Sequence, residues 1–443
     1  MDSQNTLKRT LTLRDLVIYG LSMSSPLSLY LVYGSVAQAS FGMVALVYAI
    51  GTLLMLFTIF SYVQYSKEVP ISGSIYSYIS KGINPHVGFV GGWLILGYYI
   101  AVPGLVFGLS ASWLGTLLPN VPSLVWVAIL VIFNTFINIR GLEIGKRINL
   151  ILMVLQVLSI LVFIGLGIKF VFINHLGVGG FSLDPIFQAE NVNLSFLATS
   201  VSIAVIGFLG LDGISALAEE ADNPKRNVGL SMLIALLLVG FSYVVQGYLS
   251  GLIHPNYSDL DPDLGMFEIA KEIGGQGFYV WMVIINVLAF GVACTGGIQS
   301  ALSRVLYTMG RDKILPSFLA KLHPTYKTPI NAALTTGVVS LIVGGFVSPT
   351  IILLFVNFGA ITAYTVLNLS VIIYFYIKQK RRSPKETLLY LIMPLTGFAV
   401  CLFAWSGFDK ITFIAGFAWT LLGVIVGAIS SKGYKITPKI EDL

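Results

Sequence analysis

Charge is what this 443-residue chain has least of. Asp, Glu, Lys and Arg together make up 10% of it, against about 25% in an ordinary soluble domain. Too few charges remain to cover a soluble surface, and 56% of the residues are hydrophobic, with a mean hydropathy of +0.87. Cysteine occurs only as Cys294 and Cys401, both inside apolar runs, which leaves no disulfide framework and no thiolate metal site. The histidines His86, His175, His254 and His323 stand in loops or at the ends of apolar runs, without metal-ligand spacing. No phosphate-binding glycine loop occurs either. These absences argue against an enzyme, and no cofactor, metal or nucleic-acid partner is expected. The opening "MDSQNTLKRTLTLRD" lacks the short apolar core and small-residue cleavage site of a signal peptide, so the first span should stay in the mature protein.

Apolar length is what the chain does have. Runs of about 20 residues, enough to cross a hydrocarbon core, predict spans near 15–38, 42–66, 85–118, 122–139, 148–172, 194–219, 228–253, 277–308, 330–347, 351–377, 387–406 and 410–430. The expected fold is an all-α polytopic membrane domain of twelve helices filling residues 1–443. With the N-terminus in the cytoplasm, Lys169, Lys271 and Lys410 are the only basic residues outside. The excess of Lys and Arg on the other side therefore puts both termini in the cytoplasm of a plasma-membrane protein. The basic run "KQKRRSPK" (378–385) is first a topology signal, and it also suits anionic lipid head groups.

Two spans carry the residues of a break. In the first, Gly20 and Pro26 bracket Ser22, Ser24 and Ser25. In the sixth, "VIGFLGLDGISALAEE" (205–220) sets Gly207, Gly210 and Asp212 in an apolar run. Proline removes a backbone donor and clashes with the preceding turn, and glycine costs about 1 kcal/mol of helix propensity against alanine. The small residues also suit close helix packing, and Pro26 favours the break. Asp212 also suits a helix cap, and Glu219 and Glu220 suit a solvated end paired with Lys225 or Arg226. Tyr98, Tyr99 and Phe208 also read as core aromatics.

Backbone groups freed at mid-membrane must be buried in protein or line a wet cavity. The first and sixth spans hold the same place in two successive five-helix units, over 15–172 and 194–377. That is the pattern of an inverted-repeat secondary transporter. Tails over 1–14 and 431–443 and two further helices over 387–430 complete the plan. Half-helix N-termini suit a carboxylate and half-helix C-termini an ammonium. A channel would instead want a continuous polar pore.

Three stretches carry a resemblance: "KEVPISGSIYSYISKGINPHVGFVGGW" (67–93), "GFLGLDGISALAEEADNPKR" (207–226) and "SRVLYTMGRDKILPSFLAKLHPTYKTP" (303–329). They resemble the amino acid-polyamine-organocation transporters. "INPHVGF" (83–89) and "NFGAITAYTVLNLSV" (357–371) are most similar to the proton-driven bacterial putrescine importers. The resemblance implies an uptake carrier of the five-plus-five inverted-repeat fold, in which a monomer suffices. It places the substrate against Ser22, Met23, Ser24 and Ser25 of the first break and Gly207, Phe208 and Gly210 of the sixth, with Tyr98 or Tyr99 from the third span.

The importers carry acids in their first and third spans, where this chain has Leu31 and Tyr98. The cavity therefore reads as neutral and favours a neutral amino acid, with putrescine, another polyamine, a monoamine or amino acid exchange as alternatives. The proton is the coupling ion implied by the resemblance. Some proton-coupled relatives place a lysine where Gln156 stands, which leaves Asp212, Glu68 and Glu219 as gating or coupling candidates.

Overall fold

The computed structural model describes residues 9–69, 74–191, 193–311, 315–431 and 433, so part of each predicted tail lies outside the described residues. The chain runs through α1 (Leu13–Ser24), α2 (Leu29–Ala39), α3 (Val44–Glu68), α4 (Ser74–Gly82), α5 (Pro85–Leu117), α6 (Ser123–Arg140) and α7 (Leu142–Ile168). After a long connection come α8 (Leu194–Ala204), two 3-10 segments, Val205–Phe208 and Leu211–Glu220, and then α9 (Pro224–Ile253), α10 (Gly265–Leu288) and α11 (Thr295–Arg311). The last helices are α12 (Ile330–Phe346), α13 (Pro349–Val371), α14 (Pro384–Thr387), α15 (Met393–Trp405) and α16 (Lys410–Ser430). Among the described residues the only strand-like pairing is an isolated bridge between Leu11 and Ala221.

The all-α, multi-pass architecture is the expected one. Among the described residues ten helices are long and apolar enough to cross a membrane, and α1 with α2, bent by 53°, makes an eleventh if taken as one span. The helix on the ninth predicted span, α12, has 17 residues and falls short of that length. Large apolar side chains such as Phe241, Ile132 and Phe346 point outward, as lipid-facing helices require. The interior packs closely where small residues allow it: a Cβ on Gly240 of α9 would lie 2.3 Å from the Thr52 hydroxyl of α3.

Within α10, Gly275 adopts φ +69°, a left-handed conformation that glycine reaches without strain. It joins a short helix at the edge of the predicted span to the longer run that continues, through a π-turn at Ala289–Cys294, into α11. The eighth span predicted from residue 277 therefore starts just after this corner.

At the same edge His254, just past α9, bonds Asp259 Oδ1 through Nε2 at 2.7 Å and Glu272 Oε2 through Nδ1 at 3.1 Å. Partial burial disfavours the charged ring, but hydrogen bonds and charge from Asp259 and Glu272 outweigh it and raise the pKa above its ordinary 6.5. A raised histidine pKa adds stability that is complete below the unfolded value and disappears as pH rises through the folded one. Thermal unfolding in detergent should therefore show His254→Gln less stable than the parent at about pH 6, with the gap closing by about pH 9. A gap independent of pH would rule out the charged clamp.

Candidate functional site

The first break is built as the sequence suggests. α1 ends at Ser24, Ser25 takes φ +46°, and α2 resumes at Leu29 with Ser28 making no side-chain cap. The sixth span breaks at Leu209, which is extended, and at Gly210, which is left-handed at φ +99°. A Cβ on Gly210 would stand 2.8 Å from the Met23 carbonyl oxygen, so the backbones of the two breaks meet there. Beyond the break the chain winds as a ten-residue 3-10 helix, far longer than the usual three or four residues and of the kind found at hinges. Ser22, Met23, Ser24, Ser25, Gly207, Phe208 and Gly210 are all buried together.

Carbonyls released by the breaks find donors on other elements. The Tyr243 hydroxyl of α9 lies 2.9 Å from the Ser24 carbonyl, 2.8 Å from that of Ser25 and 2.6 Å from that of Gly207. Ser24 Oγ also donates to the Gly207 carbonyl at 3.0 Å, Ser28 Oγ to the Ser24 carbonyl, and the Ser28 amide to the Ser25 carbonyl. Gln246, one turn along α9, donates to the Pro26 carbonyl at 2.9 Å, and the Cys294 thiol donates to that of Met23. Ser25 Oγ donates to Gln156 Oε1 at 2.8 Å, while Gln156 Nε2 and Ser22 Oγ are buried without partners among the described residues. Phe208 does not stand alone: its ring packs 5.4 Å from Tyr243 and 6.1 Å from Tyr48, centroid to centroid. The buried Tyr48 hydroxyl has no partner among the described residues.

Asp212 lies past Gly210 and is fully buried. Its carboxylate accepts the Tyr99 hydroxyl at 2.6 Å and the Tyr364 hydroxyl of α13 at 3.0 Å, with that of Tyr98 further off at 3.5 Å. The cap at the start of this 3-10 segment is Gly210. The carboxylate reaches sideways to Tyr98 and Tyr99 on α5 and to Tyr364 on α13. An acid thus stands beside Tyr98.

Two coupling candidates lie elsewhere. Glu68, at the end of α3, pairs with Arg381 at 2.9 Å and is about one-third exposed. Glu219 is at the far end of the 3-10 segment, beside Glu220. Glu220 is paired with Arg304 of α11, rather than with Lys225 or Arg226, and Arg304 also donates to the Ser300 carbonyl at 2.8 Å. Sequence reasoning missed Tyr243, Gln246, Tyr364 and Arg304. Ser242, Tyr243 and Gln246 together in the apolar α9 were the available cue, because polar side chains inside a span are costly and tend to be functional.

A multi-pass membrane protein in which two helix breaks face each other across buried polar groups, most of them hydrogen-bonded, has the construction of a permease. The chain belongs to the amino acid permease family, whose model matches residues 16–439. It is similar to the low-affinity putrescine importer PlaP of Escherichia coli K12, at 32% identity over 450 residues covering 100% of this chain and 98% of the relative. It is also similar to the methylthioribose transporter of Bacillus subtilis, at 25% identity over 98% of this chain and 96% of the relative. The branched-chain amino acid permease BcaP of Bacillus subtilis matches at 24% identity over 97% of this chain and 94% of the relative.

The contact between the breaks is open to a direct test. Gly210→Ala forces a side chain into a left-handed conformation costing about 1–2 kcal/mol, and its Cβ meets the Met23 backbone. Its thermal midpoint in detergent should fall by several degrees, whereas Gly207→Ala, whose Cβ would make ordinary contacts with two tyrosine rings at 3.4 Å and with the Ser28 Cβ at 3.7 Å, should stay near the parent. Equal midpoints for the two variants would show that the breaks do not touch in this way.

Proposed function

We propose that the chain is a secondary active transporter that imports a small amine-bearing solute across the plasma membrane by alternating access. In this reading twelve spans form a five-plus-five inverted repeat with both termini in the cytoplasm, and the solute binds where the two breaks meet. One observation carries the proposal: the Ser24, Ser25 and Gly207 carbonyls converge on a single point, within 2.6–2.9 Å of one hydroxyl oxygen. Two half-helix C-termini bring partial negative charge to that point. An ammonium group, with three N–H donors, matches it.

Asp212 supports a cationic amine without a carboxylate of its own, the chemistry of the putrescine carried by the relative from Escherichia coli. A buried carboxylate in the site pairs with an ammonium and repels a second carboxylate. The neutral amino acid favoured by the sequence is the second reading. The start of α2, with no side-chain cap at Ser28, supports it as a seat for a carboxylate. The proton remains the proposed coupling ion. Gln156 does not titrate, so Asp212 is the remaining titratable candidate inside the site. Its two possible roles, counter-charge for the amine or carrier of the proton, predict different losses.

Uptake into proteoliposomes under an inward proton gradient, without sodium, tests this with a labelled amine competed by unlabelled putrescine, monoamines and neutral amino acids. The amines should inhibit and the neutral amino acids should not. Asp212→Asn should raise the amine inhibition constants by about a hundredfold, as expected for breaking a buried ion pair. Inhibition by neutral amino acids, with Asp212→Asn losing only the pH dependence, would instead support amino acid–proton symport. Inhibition by none of these would rule out the proposed function.

A further inference from the structure

We infer that Tyr243 is a built-in stand-in for the solute's ammonium group, occupying its site when the carrier is empty and so permitting net uptake rather than obligatory exchange. The inference rests on the amine site proposed above and adds a residue and a kinetic role to it.

The argument begins with a mismatch of donors. The Tyr243 oxygen carries one proton, yet three carbonyl oxygens stand 2.6–2.9 Å from it and Ser24 Oγ lies at 3.5 Å. One O–H cannot satisfy three acceptors. Each carbonyl already has another donor: Ser28 Oγ for Ser24, the Ser28 amide for Ser25 and Ser24 Oγ for Gly207. What converges on the phenol oxygen is therefore the second acceptor position of each carbonyl. Three such positions around one point fit a three-proton donor better than a phenol. An ammonium should accordingly displace the hydroxyl, while the hydroxyl serves better than nothing.

The Tyr243 side chain is held by the packing of its ring, and besides the three carbonyls its hydroxyl meets only the serine hydroxyls of the same break. The ring packs against Tyr48, at 5.1 Å between centroids, and against Phe208, and the position of a Gly207 Cβ is 3.4 Å from both the Tyr243 and Tyr48 rings. The buried Tyr48 hydroxyl, without a partner among the described residues, is a donor and acceptor available to whatever enters beside it. A small withdrawal of the Tyr243 hydroxyl would expose all three carbonyls together.

A carrier that imports without exchanging must return empty through a state in which these carbonyls are sealed from water. Each carbonyl keeps its other donor, but three convergent oxygens with their second acceptor positions unfilled repel one another and raise the energy of that state. By covering them, Tyr243 makes the empty return accessible. Exchange never visits the empty closed state, since solute fills the site in both directions.

Tyr243→Phe keeps the ring and removes the donor. Three measurements on the full-length protein suffice: equilibrium binding of a labelled amine, net uptake into empty proteoliposomes, and counterflow into proteoliposomes preloaded with the same unlabelled amine. In the variant the dissociation constant should fall by about threefold to tenfold, because the empty state alone is destabilised. The ratio of net uptake to counterflow should fall by at least about tenfold. Weaker binding with both fluxes lost together would make Tyr243 a solute ligand and overturn the inference, as would an unchanged ratio. If the wild-type protein neither binds nor moves an amine, the proposed function fails first and takes this inference with it. Should the phenylalanine variant not fold, Tyr243→Gln supplies an N–H donor in its place and should keep the ratio within about threefold of wild type. A collapsed ratio there would show that the donor is not what matters.

Discussion

Every unusual contact in this molecule follows from one constraint: a helix interrupted inside hydrocarbon leaves backbone carbonyls that lipid cannot satisfy. The breaks at Ser25 and Gly210 release such groups on two neighbouring spans, and each has been given a donor from elsewhere. Tyr243 and Gln246 reach in from α9, Cys294 from the π-turn before α11, and Ser24 crosses directly to Gly207. The breaks are thereby tied to the helices around them. Without these ties the interruptions would be costly; with them they form a compact polar centre in an apolar protein.

Two buried charge centres are satisfied in different ways. Arg304 and Glu220 form a pair with each other, and Arg304 has further hydrogen bonds to Ser300, so its charge is matched inside the protein. Asp212 has hydroxyls and, among the described residues, no ion-pair partner: Tyr99 and Tyr364 donate to it, but neither would cancel the charge of its ionised form. Desolvation of an anion is only partly compensated by neutral donors. The first arrangement is complete as it stands, while the second is completed by a positive charge arriving from outside, whether ammonium or proton. This contrast, more than the position of either residue, is what supports the proposed role of Asp212.

Local chemistry made much of this legible in the sequence. Pro26 and the Gly207–Gly210 spacing act on their own backbone, so the breaks could be read from the chain, as could the helical spans from their apolar length. Gly275 ended the eighth span where the apolar run began, for the same local reason. The partners were not legible. Tyr243 and Tyr364 sit in apolar helices, where a tyrosine reads as core, and only the packing of α9 and α13 brings their hydroxyls to the breaks. Asp212 next to a glycine reads locally as a cap; that its side chain turns toward Tyr99, 113 residues away, is a tertiary fact. The sequence marks Asp212 as a gating or coupling candidate, but its place beside Tyr98 follows only from the packing of a different span.

The same ties also determine which parts move together. At the predicted cytoplasmic end the amides of Thr10 and Leu11 donate to the Glu220 carbonyl, each at 2.9 Å, and the Asp222 amide donates back to Leu11 at 2.9 Å. The approach to α1 is thus stitched to the end of the 3-10 segment, while the start of that segment meets the end of α1 where a Cβ on Gly210 would stand 2.8 Å from the Met23 carbonyl oxygen. Any displacement of α1 that preserves these bonds carries the 3-10 segment with it. Glu220 adds Arg304 of α11 to the same junction, so releasing that face exposes a buried ion pair, whereas the Ser24–Gly207 junction exposes only neutral groups. Exposure to water hydrates the separated charges and offsets part of the lost attraction, so the ion pair alone does not make that junction the stronger one. In the proposed cycle an event in the site reaches the junction along the 3-10 segment, which holds Asp212 beside Tyr98 and Tyr99 at one end and Glu220 beside Arg304 at the other.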